Sequence, residues 1–134
     1  MQNHNSITLV PDSASYAAVQ AFLERQLEAD GVSLRVQSRV QVVADEIWSN
    51  IVRYSGASQA TLELCQEEEA LLLRFTDDGK PYDPTKAPEP DTTLSADERA
   101  IGGLGLHMVR RMTISMTYQY HEARNCLTLG FAPV

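Results

Sequence analysis

The stretch Ile101-Gly102-Gly103-Leu104-Gly105-Leu106 places three glycines directly before a segment with helical spacing. Glycine lets the main chain adopt a positive φ and approach a ligand closely. Backbone N–H groups at the start of a helix have no acceptor within it, so they favour an anion such as phosphate. The pattern therefore predicts a phosphate-binding turn, with Leu104 and Leu106 anchoring it to a core. An ordinary glycine turn at a helix start has the same local pattern, so the rest of the chain must decide.

Length and charge limit the classes of function. The chain has 134 residues and is 43% hydrophobic, which predicts one domain over residues 1–134 with a real core. Its formal charge of −7 argues against nucleic acid as the main partner, since nucleic-acid binding depends on clustered Lys and Arg. A nucleotide remains possible, because a nucleotide needs only local donors and a cation.

Targeting signals and metal motifs are not evident in the sequence. The N-terminus lacks a basic and apolar leader, and no apolar run approaches the ~18 residues of a membrane span. We therefore expect a cytoplasmic protein with no membrane contact. Cys65 and Cys126 stand apart in strand-like segments, which predicts two reduced thiols rather than a disulfide or metal site.

The apolar spacing predicts an α/β two-layer sandwich. A strand at Ile7–Val10 precedes a helix that Asp12 or Ser13 caps and that ends near Ala29, and a second helix covers Arg35–Tyr54. Alternating segments predict two hairpins and hence a mixed, mostly antiparallel sheet. The predicted hairpin segments are Ala60–Leu64 with Leu71–Thr76, and Met112–His121 with Cys126–Phe131 around a turn at Arg124-Asn125. With the helix after Gly105, three helices would cover one face of this sheet.

A proline-rich stretch separates the third predicted strand from the glycine turn. Four of the six prolines lie here, and the segment has no clear periodicity. Loops longer than ~12–15 residues tend to be lids, binding loops or disordered segments. We interpret about residues 82–101 as a lid, with one helical turn near 96–100; a disordered insertion is the alternative.

Two polar residues on the second helix point to chemistry. Glu46 and Asn50 are four residues apart and so share one face. An Asn carbonyl together with phosphate oxygens suits Mg²⁺, which takes few protein ligands. Glu46 would then lie where it can accept a proton from an attacking hydroxyl or water. A solvated Glu and an Asn bonded to neighbouring backbone would produce the same spacing.

A second constellation follows a strand. In Asp77-Asp78-Gly79-Lys80-Pro81-Tyr82-Asp83-Pro84, a carboxylate at the strand end precedes a glycine. Such a carboxylate can accept a hydrogen bond from an exocyclic amine, while the glycine lets the chain pass close to a flat ring. That arrangement fits adenine, although an Asp-Gly turn is common without any ligand.

Taken together, these motifs resemble the Bergerat-type ATP-binding fold of the GHKL superfamily. Their order and spacing match over nearly the whole chain. The Asp-x-Gly-x-Pro-aromatic-Asp-Pro run and the Gly-Gly-Leu-Gly-Leu segment followed by Arg110-Arg111 look most like the anti-sigma regulatory serine/threonine kinases. No third glycine completes a Rossmann fingerprint, and no Gly-Lys-Ser/Thr forms a P-loop.

The resemblance implies a role for each motif residue. Asn50 would bind Mg²⁺, Glu46 would be the general base, and Asp77 would hold the adenine amine. Gly79 would flank the ring. Gly103, Leu104 and Gly105 would offer backbone N–H groups to the ATP phosphates, and Gly102 and Leu106 beside them would belong to the same nucleotide-binding turn. Thr128, in the last strand, would assist adenine binding through its hydroxyl; a structural role is the alternative. His107 and His121 are expected to be packed or surface residues rather than phosphoacceptors.

This chain departs from the family pattern at two places. Arg53-Tyr54 stands where the family often has a His, and Trp48 replaces a usually small residue. These departures put the nucleotide affinity, or its relay to a partner, in doubt.

The resemblance implies a kinase that phosphorylates an anti-sigma factor antagonist and alternately sequesters a sigma factor. It also implies a homodimer. A non-catalytic ATP-sensing binding module is a second hypothesis, which Glu46 disfavours. A histidine-kinase catalytic fragment is a third hypothesis, which we disfavour because we expect residues 1–134 to be used by the ATP-binding fold, without a dimerisation helix that carries a phosphoacceptor His.

Overall fold

A computed structural model describes residues 3–86 and 103–133. The strands are β1 (Asn3–Leu9), β2 (Ala60–Gln66), β3 (Leu71–Asp77), β4 (Ser115–His121) and β5 (Arg124–Phe131). The helices are α1 (Ser15–Ala29), α2 (Leu34–Asn50) and α3 (Gly103–Met112). A π-helical segment, Ile51–Ser55, continues directly from α2 and is called the π-turn below. A 3₁₀ turn covers Pro84–Lys86.

The described strands form one sheet in the order β1-β2-β3-β5-β4. Each neighbouring pair is antiparallel. This sheet and three helices confirm the predicted two-layer sandwich, and the pairing is antiparallel throughout the described strands rather than mixed. β3 is central, so its C-terminal end at Asp77 lies beside Ala60 of β2 and Asn125 of β5.

The core lies between the sheet and the helices. Along β2, β3 and β5, alternate side chains are buried because successive residues of a strand point to opposite faces. The buried residues of α2 repeat at helical spacing and meet this face. Trp48 is buried among them, and its Nε1 donates to Ser15 Oγ over 2.7 Å. The bulky residue at position 48 therefore couples α2 to the start of α1.

Several predicted boundaries differ from the structure. β1 extends over Asn3–Leu9, and α1 begins at Ser15 rather than after a cap at Asp12 or Ser13. Asp12 instead closes a turn, in which its backbone N–H donates to Ser15 Oγ and its carbonyl accepts from that hydroxyl.

The second hairpin was predicted with the wrong turn. Met112 ends α3, and β4 starts only at Ser115. The turn is formed by Glu122 and Ala123, which have positive φ values of 52° and 62°. Arg124 and Asn125 belong to β5. Asn and Asp are typical turn residues, so the sequence favoured the wrong pair.

The predicted lid lies mostly outside the described residues, as do its predicted helical turn and Gly102. Its first part, residues 82–86, is described. There, one guanidinium nitrogen of Arg110 on α3 donates to the carbonyls of Pro84 and Thr85, each over 3.3 Å. The start of this segment is thus tied to α3.

Candidate nucleotide site

A largely apolar cleft opens between the end of α2 and the central strands. Its walls come from α2 and the π-turn, from the end of β3 and the segment that follows, and from β4 and β5. The lining residues include Ile47, Asn50, Ile51, Tyr54, Ser55, Phe75, Asp77, Pro81, Tyr82, Tyr118, Asn125 and Leu127. Apolar walls with a few placed polar groups are typical of a small-molecule site.

Asp77 is a buried carboxylate in this cleft, with 6% of its surface exposed. Its Oδ1 accepts from the backbone N–H of Gly79 over 2.9 Å and from Asn125 Nδ2 over 3.1 Å. Among the described residues, no donor engages Oδ2. The carboxylate is therefore fixed through one oxygen, and the other is available to a ligand donor.

Asn125 holds this part of the cleft together, and sequence reasoning missed it. Its Nδ2 also donates to the carbonyls of Lys80 over 2.9 Å and Gly79 over 3.4 Å. Its Oδ1 accepts from the backbone N–H of Tyr82 over 3.0 Å and from the hydroxyl of Tyr118. One buried amide thus connects β3, the following turn and β4.

Gly79 is required by close packing against the π-turn. A Cβ at this position would lie 2.4 Å from the carbonyl oxygen of Ser55, so no larger residue fits without a shift. The backbone N–H of Lys80 donates to the same oxygen over 3.0 Å. Asp78 supports the other side of this turn by accepting from the backbone N–H of Ser58 over 2.7 Å. The Asp77–Gly79 motif is thereby locked to the end of α2.

Asn50 is the last residue of α2, and its half-buried side chain lines the cleft. Within the described residues, no hydrogen bond engages its amide. A half-buried amide with no hydrogen-bond partner among residues 3–86 and 103–133 is the arrangement expected of a ligand-binding group. Its carbonyl oxygen suits a hard cation such as Mg²⁺, so this position fits the predicted metal.

Glu46 lies one helical turn before Asn50 and meets the first turn of α3. A Cβ on Gly105 would lie 1.6 Å from Glu46 Oε1, so only glycine allows this carboxylate to approach the helix. Partial burial raises the pKa of Glu46 above its ordinary value, and the nearby Asp45 adds to the rise, whereas Arg53 opposes it. A carboxylate with a raised pKa is a better proton acceptor, as a general base requires.

α3 begins at Gly103, so Gly103, Leu104 and Gly105 form its first turn. The first four backbone N–H groups of a helix have no acceptor within it, and the helix dipole adds partial positive charge there. Leu106 is buried in the core and contributes at most its backbone to a ligand. These residues keep their predicted role as candidate phosphate-binding positions.

Comparison with known proteins agrees with this geometry. The family model described as "Histidine kinase-like ATPase domain" matches residues 9–131. The chain belongs to this family. It is 34% identical over 112 residues to the serine/threonine-protein kinase BtrW of Bordetella bronchiseptica, a match covering 81% of this chain and 79% of BtrW. The fold is similar to that of the Acinetobacter baumannii histidine kinase AdeS, with a TM-score of 0.57 and 14% identity over 98% of this chain and 68% of that one.

Membership of the histidine kinase-like ATPase family confirms the resemblance to the GHKL superfamily. It implies that the domain binds ATP, and the match to BtrW supports a kinase. No helix among the described residues is long and apolar enough to cross a membrane.

Thr128 does not reach the cleft of this ATPase domain. Asn125 and Leu127 of β5 face the cleft, so Thr128 points to the other face of the sheet. There its hydroxyl accepts from Arg74 Nε over 3.3 Å. The position does not support the predicted contact with adenine. Alternation with the apolar Leu127 and Leu129 was the signal that could have placed Thr128 outside.

Aromatic residues near the cleft were also not predicted. Tyr54 and Tyr82 line it and remain about half exposed, at 47% and 53%. Tyr118 is partly buried beside them, and burial raises the pKa of its hydroxyl. Flat side chains at the rim of a cleft offer stacking surfaces for a purine ring. Arg53 is exposed and faces away from this cleft, in the groove described below.

Proposed function

We propose that this protein is an ATP-dependent serine/threonine kinase whose substrate is an anti-sigma factor antagonist. In the alternate state of the same partner switch, it sequesters a sigma factor. The observation that carries the proposal is the position of Glu46. Its carboxylate lies close to Gly105 at the start of α3, and Glu46 is one helical turn from Asn50, which lines the cleft. The 34% identity to BtrW, a serine/threonine-protein kinase, supports the serine/threonine specificity.

In this proposal the cleft positions ATP. Asp77 Oδ2 accepts a hydrogen bond from the adenine amine, and the first turn of α3 holds the phosphates. Asn50 would hold Mg²⁺, which would supply positive charge to neutralise the phosphates. Positioning and charge stabilisation supply most of the catalysis in phosphoryl transfer, so few residues are needed.

Glu46 completes the chemistry of transfer. The acceptor hydroxyl oxygen forms a bond to the γ-phosphorus while the bond from that phosphorus to the β,γ-bridging oxygen breaks. The hydroxyl proton goes to the Glu46 carboxylate, and ADP leaves with its new terminal oxygen. A non-catalytic ATP sensor would keep the cleft but would not need a base at this position.

The test is phosphoryl transfer from γ-labelled ATP to purified antagonist proteins of the source organism. Wild type is expected to label one of them on Ser or Thr. Glu46→Gln is expected to keep nucleotide affinity within about three-fold and to reduce transfer by ~10²–10⁴, the usual contribution of a positioned base. Glu24→Gln, an exposed glutamate of α1, is the matched control. Nucleotide binding without transfer to any acceptor would identify an ATP sensor instead.

The partners and the assembly belong to the same proposal. We expect a cytoplasmic homodimer that binds a sigma factor and does not bind nucleic acid or membranes directly. Sedimentation of the protein alone and with candidate sigma factors, each with ADP or ATP, measures the homodimer and the binding of the sigma factor.

A further inference from the structure

A groove separate from the nucleotide cleft runs between α2 and α3. Its lining residues are Gln41, Val42, Asp45, Ser49, Arg53 and Met108, together with Glu46. We call it the α2–α3 groove. Ile47 and Asn50 of α2 line the cleft, whereas Asp45, Glu46 and Ser49 line the groove. One side of α2 therefore lines the cleft and another side lines the groove, and Glu46 is on the side that lines the groove.

The position of Glu46 indicates from which side the acceptor hydroxyl would reach the nucleotide. In phosphoryl transfer the attacking and leaving oxygens lie roughly in line on opposite sides of the phosphorus. With the adenine end bound at Asp77 in the cleft, the acceptor has to arrive from another side. The groove is the opening among the described residues that also contains the carboxylate placed to take the acceptor proton.

The chemistry of the groove suits a protein segment. Val42 on α2 and Met108 on α3 are 39% and 37% exposed, so two helices present apolar side chains to the same groove. Methionine adapts its shape to varied partners. Two carboxylates, Asp45 and Glu46, outweigh the single guanidinium of Arg53. This charge favours a neutral or basic segment over an acidic one.

We propose that the α2–α3 groove docks the segment of the protein substrate that carries the acceptor hydroxyl. An apolar side chain of that segment contacts Val42 and Met108, which places the hydroxyl beside Glu46. The inference rests on the proposed kinase function and adds to it the surface that selects the substrate.

The test uses the full chain, ATP with Mg²⁺, and the antagonist protein that wild type labels in the transfer assay. Val42→Thr and Met108→Gln remove apolar character with little change of shape at exposed positions. Each is expected to raise the KM for the antagonist about three-fold, and the double variant about ten-fold. The kcat, the affinity for ADP and the slow hydrolysis of ATP without acceptor should stay within two-fold. Leu34→Gln, on α2 but outside the groove and 77% exposed, is the matched control.

The outcomes separate the two proposals. An unchanged KM in the double variant overturns the groove as the docking site while leaving the kinase intact. A parallel loss of ADP affinity also overturns it, because the residues would then act through the nucleotide site. If wild type itself labels no acceptor, the kinase proposal fails and the docking inference fails with it.

Discussion

At the scale of single residues, the two oxygens of Asp77 differ in their surroundings. Oδ1 accepts from Gly79 and Asn125, and both donors are fixed by the backbone and by further bonds. An amide at position 77 would keep its oxygen on these donors and turn its Nδ2 toward the ligand. The Nδ2 donor of the new amide would then face the adenine amine, which is also a donor, so no hydrogen bond could form between them.

We therefore expect Asp77→Asn to weaken ADP binding by about 1.5–3 kcal/mol, the range for a hydrogen bond to a charged group. Isothermal titration calorimetry measures this loss. Asp45→Asn makes the same charge change at an exposed position outside the cleft and should leave ADP affinity unchanged. If wild type and Asp77→Asn bind ADP with equal affinity, adenine does not bind at Asp77.

The charges around Glu46 predict a pH dependence. A base has to be ionised, so transfer should fall as the pH drops through the pKa of Glu46, which burial has raised. Arg53 lowers that pKa. Arg53→Gln should therefore move the acidic limb of the profile of kcat against pH to higher pH. Arg35→Gln, exposed at the start of α2, should leave the limb in place. A limb that moves to lower pH, or stays fixed in Arg53→Gln, would show that another group controls it.

At the scale of elements, α2 and α3 meet through the contact of Glu46 with Gly105. Gly105→Ala would place a methyl group on the carboxylate, so the end of the Glu46 side chain has to move away, at a cost that the higher helix propensity of Ala partly offsets. Truncating the opposing side chain in Glu46→Ala removes the clash. A double-mutant cycle by urea denaturation should therefore give a smaller cost for Gly105→Ala in the Glu46→Ala background. Additive effects would mean that the two elements meet elsewhere.

The elements also show what the sequence could and could not predict. Helical spacing predicted α2. The structure places Asn50 and Asp77 in the cleft and Glu46 in the neighbouring groove, one helical turn from Asn50, and the roles that the motifs predict for them stay predictions. The π-turn was predicted as ordinary helix, because local spacing does not distinguish the two. Asn125 was missed because its bonds reach Asp77, Lys80 and Tyr118, and such long-range contacts leave no local pattern.

At the scale of the whole molecule, the cleft joins parts that are distant in sequence. α2, the turn after β3 and β5 all contribute side chains to it. A ligand that bridges these elements binds the folded state only, and at 100 times its Kd it stabilises a protein by about 2.7 kcal/mol. The rise in melting temperature on adding a ligand therefore measures binding to the whole assembled site.

The same measurement tests the metal. ADP with Mg²⁺ should raise the melting temperature of wild type more than ADP with EDTA does, because Mg²⁺ would join the phosphates to Asn50. Asn50→Ala should lose this Mg²⁺-dependent part and keep the part that adenine supplies through Asp77. Asn5→Ala changes the same residue type in β1, outside the cleft lining, and should retain the full metal effect. If the melting temperature of wild type with ADP is the same in Mg²⁺ and in EDTA, Asn50 is excluded as a metal ligand, because the amide would then have no cation to hold.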